Sequence, residues 1–176
     1  APSEKQRAVI KKGIRERHLE RSAELAAWAG LRLMKLYMIV GLPGEEESDL
    51  DDLIRLCKKL ARITPLAITL SPFVPKLHTP LAEAPFAGVK EIDRKLKKIR
   101  KALRGIVDVR SASARWAWIE YRLSQGGPEA GLAAATALKN GGNFSAWKRA
   151  FFEIDDPRMA IQMAKDGGKW ALDGIE

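Results

Sequence analysis

Residues 33–40 read Leu-Met-Lys-Leu-Tyr-Met-Ile-Val, a nearly continuous apolar run with aromatic and β-branched members. A run this short suits a strand buried on both faces, as in a parallel sheet. Residues 41–45, Gly-Leu-Pro-Gly-Glu, follow as a loop. Ser48 is then placed to cap a helix reaching about residue 63. Leu50, Leu53, Ile54, Cys57, Leu60 and Ala61 recur along it at helical spacing. Pro65 breaks that helix, and residues 66–71 supply a second strand, Leu-Ala-Ile-Thr-Leu-Ser. Strand, helix and strand in so short a span make a βαβ unit, whose crossover is right-handed by rule. The chain is therefore expected to be α/β, with parallel strands.

The remaining segments fit around that unit. Residues 3–12 predict a short helix opened by a capping box from Ser3 to Gln6 and stopped by Gly13. Residues 16–28 predict a second helix, with Leu19, Ala23, Ala26 and Ala27 on one side and Gly30 at its end. Pro72, Pro75, Pro80 and Pro85 forbid regular structure after the second strand and stiffen the loop there. Residues 88–104 predict a helix with Val89, Ile92, Leu96, Ile99 and Leu103 on one stripe, and Lys and Arg around its other faces. A third short strand is expected at 106–110.

Past residue 112 the pattern turns helical, over 115–123, 128–138, 144–152 and 157–165. Pro128 suits a first helical turn, and residues 140–143 read as a turn. Two regions are expected: an α/β part over 1–111 and a helical C-terminal extension over 112–176.

Composition narrows the chemistry. The chain has one cysteine, Cys57, and two histidines, His18 and His78. That excludes an internal disulfide and any all-cysteine cluster, and leaves a conventional zinc site without donors. No apolar run approaches the ~20 residues that span a bilayer, and no signal peptide precedes the first helix. The chain reads as cytoplasmic, with no membrane partner. It starts at Ala1 and runs at once into a capped helix, which reads as a fragment or a processed chain. Thirty-one Lys and Arg against 22 Asp and Glu give a net charge of +9. Such an excess attracts polyanions, nucleic acid among them; it is equally the signature of a basic solvated surface.

Candidate functional residues cluster after the two strands. Gly41, Leu42, Pro43 and Gly44 lie at the C-terminal end of the first strand, where α/β proteins carry ligands. Glycines there let backbone amides approach a ligand, or serve a tight βα turn. Ser71, Pro72, Phe73, Pro75, Lys76 and His78 leave the second strand at the same end. Their stiff loop suits the wall of a substrate site, or a crossover. His78 could act as acid, base or donor; a lone loop histidine is more often exposed. His18 lies on a charged helix and reads as surface. Cys57 falls on an apolar stripe and reads as core. Trp116, Trp118 and Tyr121 could stack on bases or pack the helical extension.

Taken in order, these motifs resemble the radical S-adenosylmethionine (radical SAM) proteins, in particular the group with an upstream cobalamin-binding-like domain. Ala1-Pro2-Ser3-Glu4, with the stretch 9–13, is similar to the exit of that family's fourth barrel strand, although the glycine-containing stretch usual before Ser-Glu is absent. Residues 34–45 resemble the fifth strand and its Gly-Leu-Pro-Gly-Glu loop. Residues 70–76, with His78, Thr79 and Pro80, resemble the sixth strand and its exit. The stretches 115–120 and 141–147 match a region after the barrel, so the resemblance covers roughly the whole chain.

The resemblance implies the C-terminal part of a partial TIM-like barrel. It implies a [4Fe-4S] cluster held by three cysteines upstream, outside this chain, with the amino and carboxylate groups of S-adenosylmethionine on its fourth iron. Reductive cleavage would give a 5′-deoxyadenosyl radical that abstracts hydrogen from an unknown substrate; cobalamin is a possible further cofactor. Ser3, Glu4, Gly41, Leu42, Pro43, Gly44, Ser71, Pro72 and Phe73 would contact the cofactor, and Pro75, Lys76 and His78 would line the substrate. The partner would be the upstream half of the same enzyme, and this chain alone would be inactive. A second reading is a non-enzymatic nucleic-acid-binding module using the basic helix. The two are compatible if the enzyme modifies RNA.

Overall fold

A computed structural model describes residues 1–155. It divides into two compact units, Ala1–Trp118 and a second beginning at Ile119. The elements of the first are α1 (Glu4–Val9), α2 (Glu16–Trp28), β1 (Met34–Val40), α3 (Glu47–Ala61), β2 (Leu66–Pro72), α4 (Val89–Leu103) and β3 (Asp108–Ser111). α5 (Ala114–Gln125) begins in the first unit. The expected helix over 157–165 lies outside the described residues.

The sheet is parallel and runs in sequence order, β1-β2-β3. Leu36 pairs with Ile68, which pairs with Val109; Tyr37 pairs with Thr69, which pairs with Arg110. The chain is thus α/β with a three-stranded parallel sheet, built on the βαβ unit read from 33–71.

The helices α3 and α4 cover one face of this sheet. Leu36, Met38 and Val40 of β1 and Leu66, Ile68 and Leu70 of β2 share a core with buried side chains of α3 and α4, among them Leu50, Leu53, Leu56, Leu60, Ile92, Leu96 and Ile99. Burying a side chain of this size contributes about 1.5–3 kcal/mol, so this one layer holds the unit together. Ala23 of α2 belongs to the same core, and Thr64 is buried as well.

The alternate residues face the other way. Tyr37 is 74% exposed, and Lys35, Ser71, Asp108 and Arg110 are exposed beside it. The expectation that β1 is buried on both faces is therefore corrected. Its run is broken by Lys35 and Tyr37 at alternate positions, and within the first unit's described residues α3 and α4 cover one face only. Ala67, in the middle strand, is the buried member of the open face.

Three boundaries also differ from expectation, each for a local reason. α3 is capped by Glu46, whose side chain accepts from the N3 backbone while Asp49 reaches back to the Glu46 amide at 2.8 Å; Ser48 is already inside the helix. β3 starts two residues late, because the amides of Ile106 and Val107 both donate to the Leu103 carbonyl and close the turn after α4. α1 ends at Val9, short of Gly13, and Lys11 takes a positive φ of 55°. Its Ser3 cap is as the sequence suggests, accepting from the Gln6 amide at 3.1 Å.

In the second unit, α6 (Glu129–Lys139) packs on α7 (Phe144–Ile154) through small residues. Ala130, Ala133 and Ala137 face Ala146, Trp147, Ala150 and Phe151, all buried. Asn143 caps α7 by accepting from the Ala146 amide at 3.0 Å. Arg122 reaches Asp155 at 2.7 Å, and its guanidinium lies 4.7 Å from the centre of the Phe151 ring.

Candidate functional site

The C-terminal ends of β1 and β2 bring two of the sequence-selected segments together. The Phe73 amide donates to the Val40 carbonyl at 2.7 Å, so the exit of β2 lies against the exit of β1. Gly41, Leu42, Pro43 and Gly44 therefore sit beside Ser71, Pro72 and Phe73. Gly41 adopts φ +86° and Gly44 φ +68°, conformations that favour glycine. A Cβ on Gly41 would also lie 3.5 Å from the Ala87 Cβ and 3.6 Å from Ile92 Cγ1.

The loop is held by a residue that the sequence did not single out. Glu45 turns back on its own strand, and both carboxylate oxygens accept from the Gly41 amide at 3.0 Å. Lys95, from the middle of α4, donates to the same carboxylate at 2.8 Å. The Glu45 and Lys95 side chains are 0% and 7% exposed. The Gly41 amide is thus committed to Glu45 and does not point to a ligand. What the loop presents to solvent is Pro43, half-buried, and Gly44, exposed; Leu42 is 3% exposed and belongs to the core.

α1 docks onto the start of α3, one turn beyond this loop. Ser3 Oγ donates to Asp49, whose carboxylate also accepts from Gln6 Nε2 at 3.5 Å. Burial pushes the Asp49 carboxyl up, but the hydrogen bonds from Glu46, Ser3 and Gln6 outweigh it and hold the group below its ordinary value. Ser3 is buried. Glu4 is exposed, and its carboxylate accepts from the Glu16 amide at 3.0 Å. Both therefore serve the junction of α1 with its neighbours. Arg7, also buried, donates from Nε to the Ile14 carbonyl at 2.8 Å. Burial, the largest influence, pulls its guanidinium below its ordinary range. Gln6 Oε1 and Arg7 Nη1 are buried without a hydrogen-bond partner among the described residues.

The substrate-lining candidates divide. Pro75 is buried, whereas Lys76 and His78 are exposed on the turn beyond it. The Thr79 hydroxyl donates to the Lys76 carbonyl at 2.7 Å and shapes that turn, in which His78 has φ 62°. His18 is exposed on α2, and its Nδ1 accepts from the Arg15 amide at 3.2 Å. Cys57 is fully buried, and burial pushes its thiol up to about 12. It is core, not a nucleophile or a metal ligand. Trp116 is 56% exposed.

Among the described residues, no three His, Cys, Asp or Glu side chains gather where they could hold a metal ion. No described helix is long and apolar enough to cross a membrane.

The chain is similar to an uncharacterized protein of Methanocaldococcus jannaschii, 39% identical over 109 residues. That match covers 59% of this chain and 23% of the relative, so the chain spans about a quarter of the protein it resembles. No protein-family profile matches the chain. No solved structure matches it either.

Proposed function

We propose that this chain is the C-terminal part of a radical SAM barrel, which joins a cluster-bearing segment to bind S-adenosylmethionine and a substrate. The observation that carries the reading is the one-sided sheet. Strands in sequence order with both crossover helices on one face form a singly wound arc; barrels are built this way, whereas doubly wound sheets carry helices on both faces. The uncovered face, with Lys35, Tyr37, Thr69, Ser71, Asp108 and Arg110, would then be the lumen wall. Its polarity suits a lumen that holds cofactor and substrate.

The described residues supply no cluster donors, since Cys57 is sealed in the core. In this reading the three cysteines belong to another segment, and the relative's much greater length leaves room for one. Pro43, Gly44, Ser71 and Phe73 would hold S-adenosylmethionine at the mouth, with the buried Leu42 and Pro72 setting the course of the two loops beneath it, and Lys76 and His78 would meet the substrate. Once bound and reduced, the cofactor would supply the power to abstract hydrogen. This chain's part is to position both molecules and to exclude water.

The test uses the longer protein that contains this chain. It is reconstituted anaerobically with iron and sulfide, reduced, and supplied with S-adenosylmethionine; 5′-deoxyadenosine is then assayed. Production of 5′-deoxyadenosine is the expected result. Failure to bind iron, with no cleavage, would overturn the reading and leave a scaffold without radical chemistry.

A further inference from the structure

Beyond Lys90 in its first turn, the cations of α4 and of its C-cap Arg104 fall into two sets that the sequence alone does not separate. Along the sequence they surround the helix. In the structure, those that face α3 are neutralised. Arg94 pairs with Glu91 at 2.8 Å and with Glu47. Lys98 pairs with Glu47 at 2.9 Å and with Asp51 at 2.6 Å, and Lys95 pairs with Glu45 at 2.8 Å.

Lys97, Arg100, Lys101 and Arg104 form the other set. Their spacing of i, i+3, i+4 and i+7 places them on one stripe. All four are exposed, and none has an ion pair among the described residues; Arg100 donates to the Ser111 hydroxyl. They line one open groove of about 470 Å³, floored by Gly105, Val107 and Val109 beside the edge strand β3. The carboxylate in that lining, Asp108, is bonded to Arg110 at 3.2 Å.

We propose that this stripe binds the phosphodiester backbone of a single-stranded nucleic acid. Seven residues of helix span about 10 Å, enough for four cations to follow successive phosphates of one strand. The helix dipole does not account for the set. It favours cations only in the last turn, and Lys97 lies earlier. A membrane surface fits less well, because surface helices insert an apolar face. The apolar stripe of α4, Ile92, Leu96, Ile99 and Leu103, is already buried in the core. This inference does not depend on the proposed radical chemistry.

The experiment measures binding of the whole chain to fluorescent 20-nucleotide oligouridine and oligothymidine between 50 and 200 mM salt. Both strands share the phosphodiester, and the pair shows whether a 2′-hydroxyl adds anything. Four neutralised phosphates predict an affinity loss of about 50-fold over that range. The double reversal Lys97→Glu/Lys101→Glu is expected to weaken binding at least tenfold. Lys12→Glu/Arg17→Glu makes the same change in net charge away from the groove, and is expected to weaken it less than twofold. The neutral pair Lys97→Gln/Lys101→Gln should flatten the salt dependence by about two phosphate contacts. Equal losses in the two reversals would show that general charge is responsible and overturn the site. So would no binding at 50 mM salt, or binding to phosphatidylserine vesicles with none to either oligonucleotide.

Discussion

Lys95 Nζ lies 2.8 Å from Glu45 Oε1, joining the middle of α4 to the loop that leaves β1. Both side chains are nearly sealed from solvent, and the same carboxylate holds the Gly41 amide. Removing one partner of a buried pair strands the other charge, at a cost of about 3–5 kcal/mol. Lys95→Met is therefore expected to lower stability by about 3 kcal/mol. Lys95→Met/Glu45→Gln should recover much of that loss, because the amide oxygen can still accept from Gly41. Urea denaturation of the parent and the two variants measures this. A single variant as stable as the parent would refute the arrangement.

Gly41→Ala is expected to cost about 1–2 kcal/mol, because a Cβ disfavours positive φ. The space itself is adequate, since the nearest contact is 3.5 Å. Gly13→Ala, at a site with no positive φ and nothing within 4 Å, should change stability little. Thermal melts of the two compare strain directly. Equal shifts would remove the backbone explanation.

Asp49 predicts an acid-sensitive junction between α1 and α3. Its carboxyl is held below its ordinary value in the fold, despite burial, by hydrogen bonds from Glu46, Ser3 and Gln6. The unfolded chain therefore takes up this proton first as pH falls. The contribution is present above the ordinary carboxylate range and is lost from about pH 5 downward. Asp49→Asn should flatten the fall of stability with acid over that range. Denaturation across a pH series reads the slope, and an unchanged slope would rule Asp49 out.

Cys57 offers a probe of opening. It is fully buried, and its thiol is pushed up to about 12 by burial. At pH 8 it should resist iodoacetamide in the folded chain and react promptly in urea. Rapid labelling under native conditions would mean that α3 separates readily from the sheet.

The edges of the sheet predict association. Among the described residues β1 pairs on one side only, and an open edge invites pairing with another chain. Ile39→Lys, placed opposite Ser71 on the open face, should lower self-association at high concentration. Sedimentation of the two proteins decides it, and an unchanged profile would acquit the strand.

Much of the fold was legible because it rests on local pattern. The apolar run at 34–40 and the stripe of α3 each indicate their own element, and the order strand-helix-strand implies parallel pairing. The one-sided burial of β1 was also written there, in Lys35 and Tyr37 alternating with Leu36 and Met38. Lys95 was not found, since a lysine among lysines reads as solvated. A signal existed: position 95 falls between Ile92 and Ile99 on the buried stripe, where a lysine needs a buried acid. The acid itself, Glu45, lies fifty residues earlier, and no local pattern connects the two. The division of α4 into neutralised and unpaired cations was hidden for the same reason, because most of the acids that decide it, Glu45, Glu47 and Asp51, stand in the loop after β1 and on α3.

The alternation along β1 and β2 has an evolutionary side. Each strand presents one residue to the helices and the next to the open face. Positions such as Tyr37 and Ser71 can thus be exchanged without disturbing the packing that Met38 and Leu70 secure. A lineage could change what that face recognises, one residue at a time, and keep the same scaffold throughout.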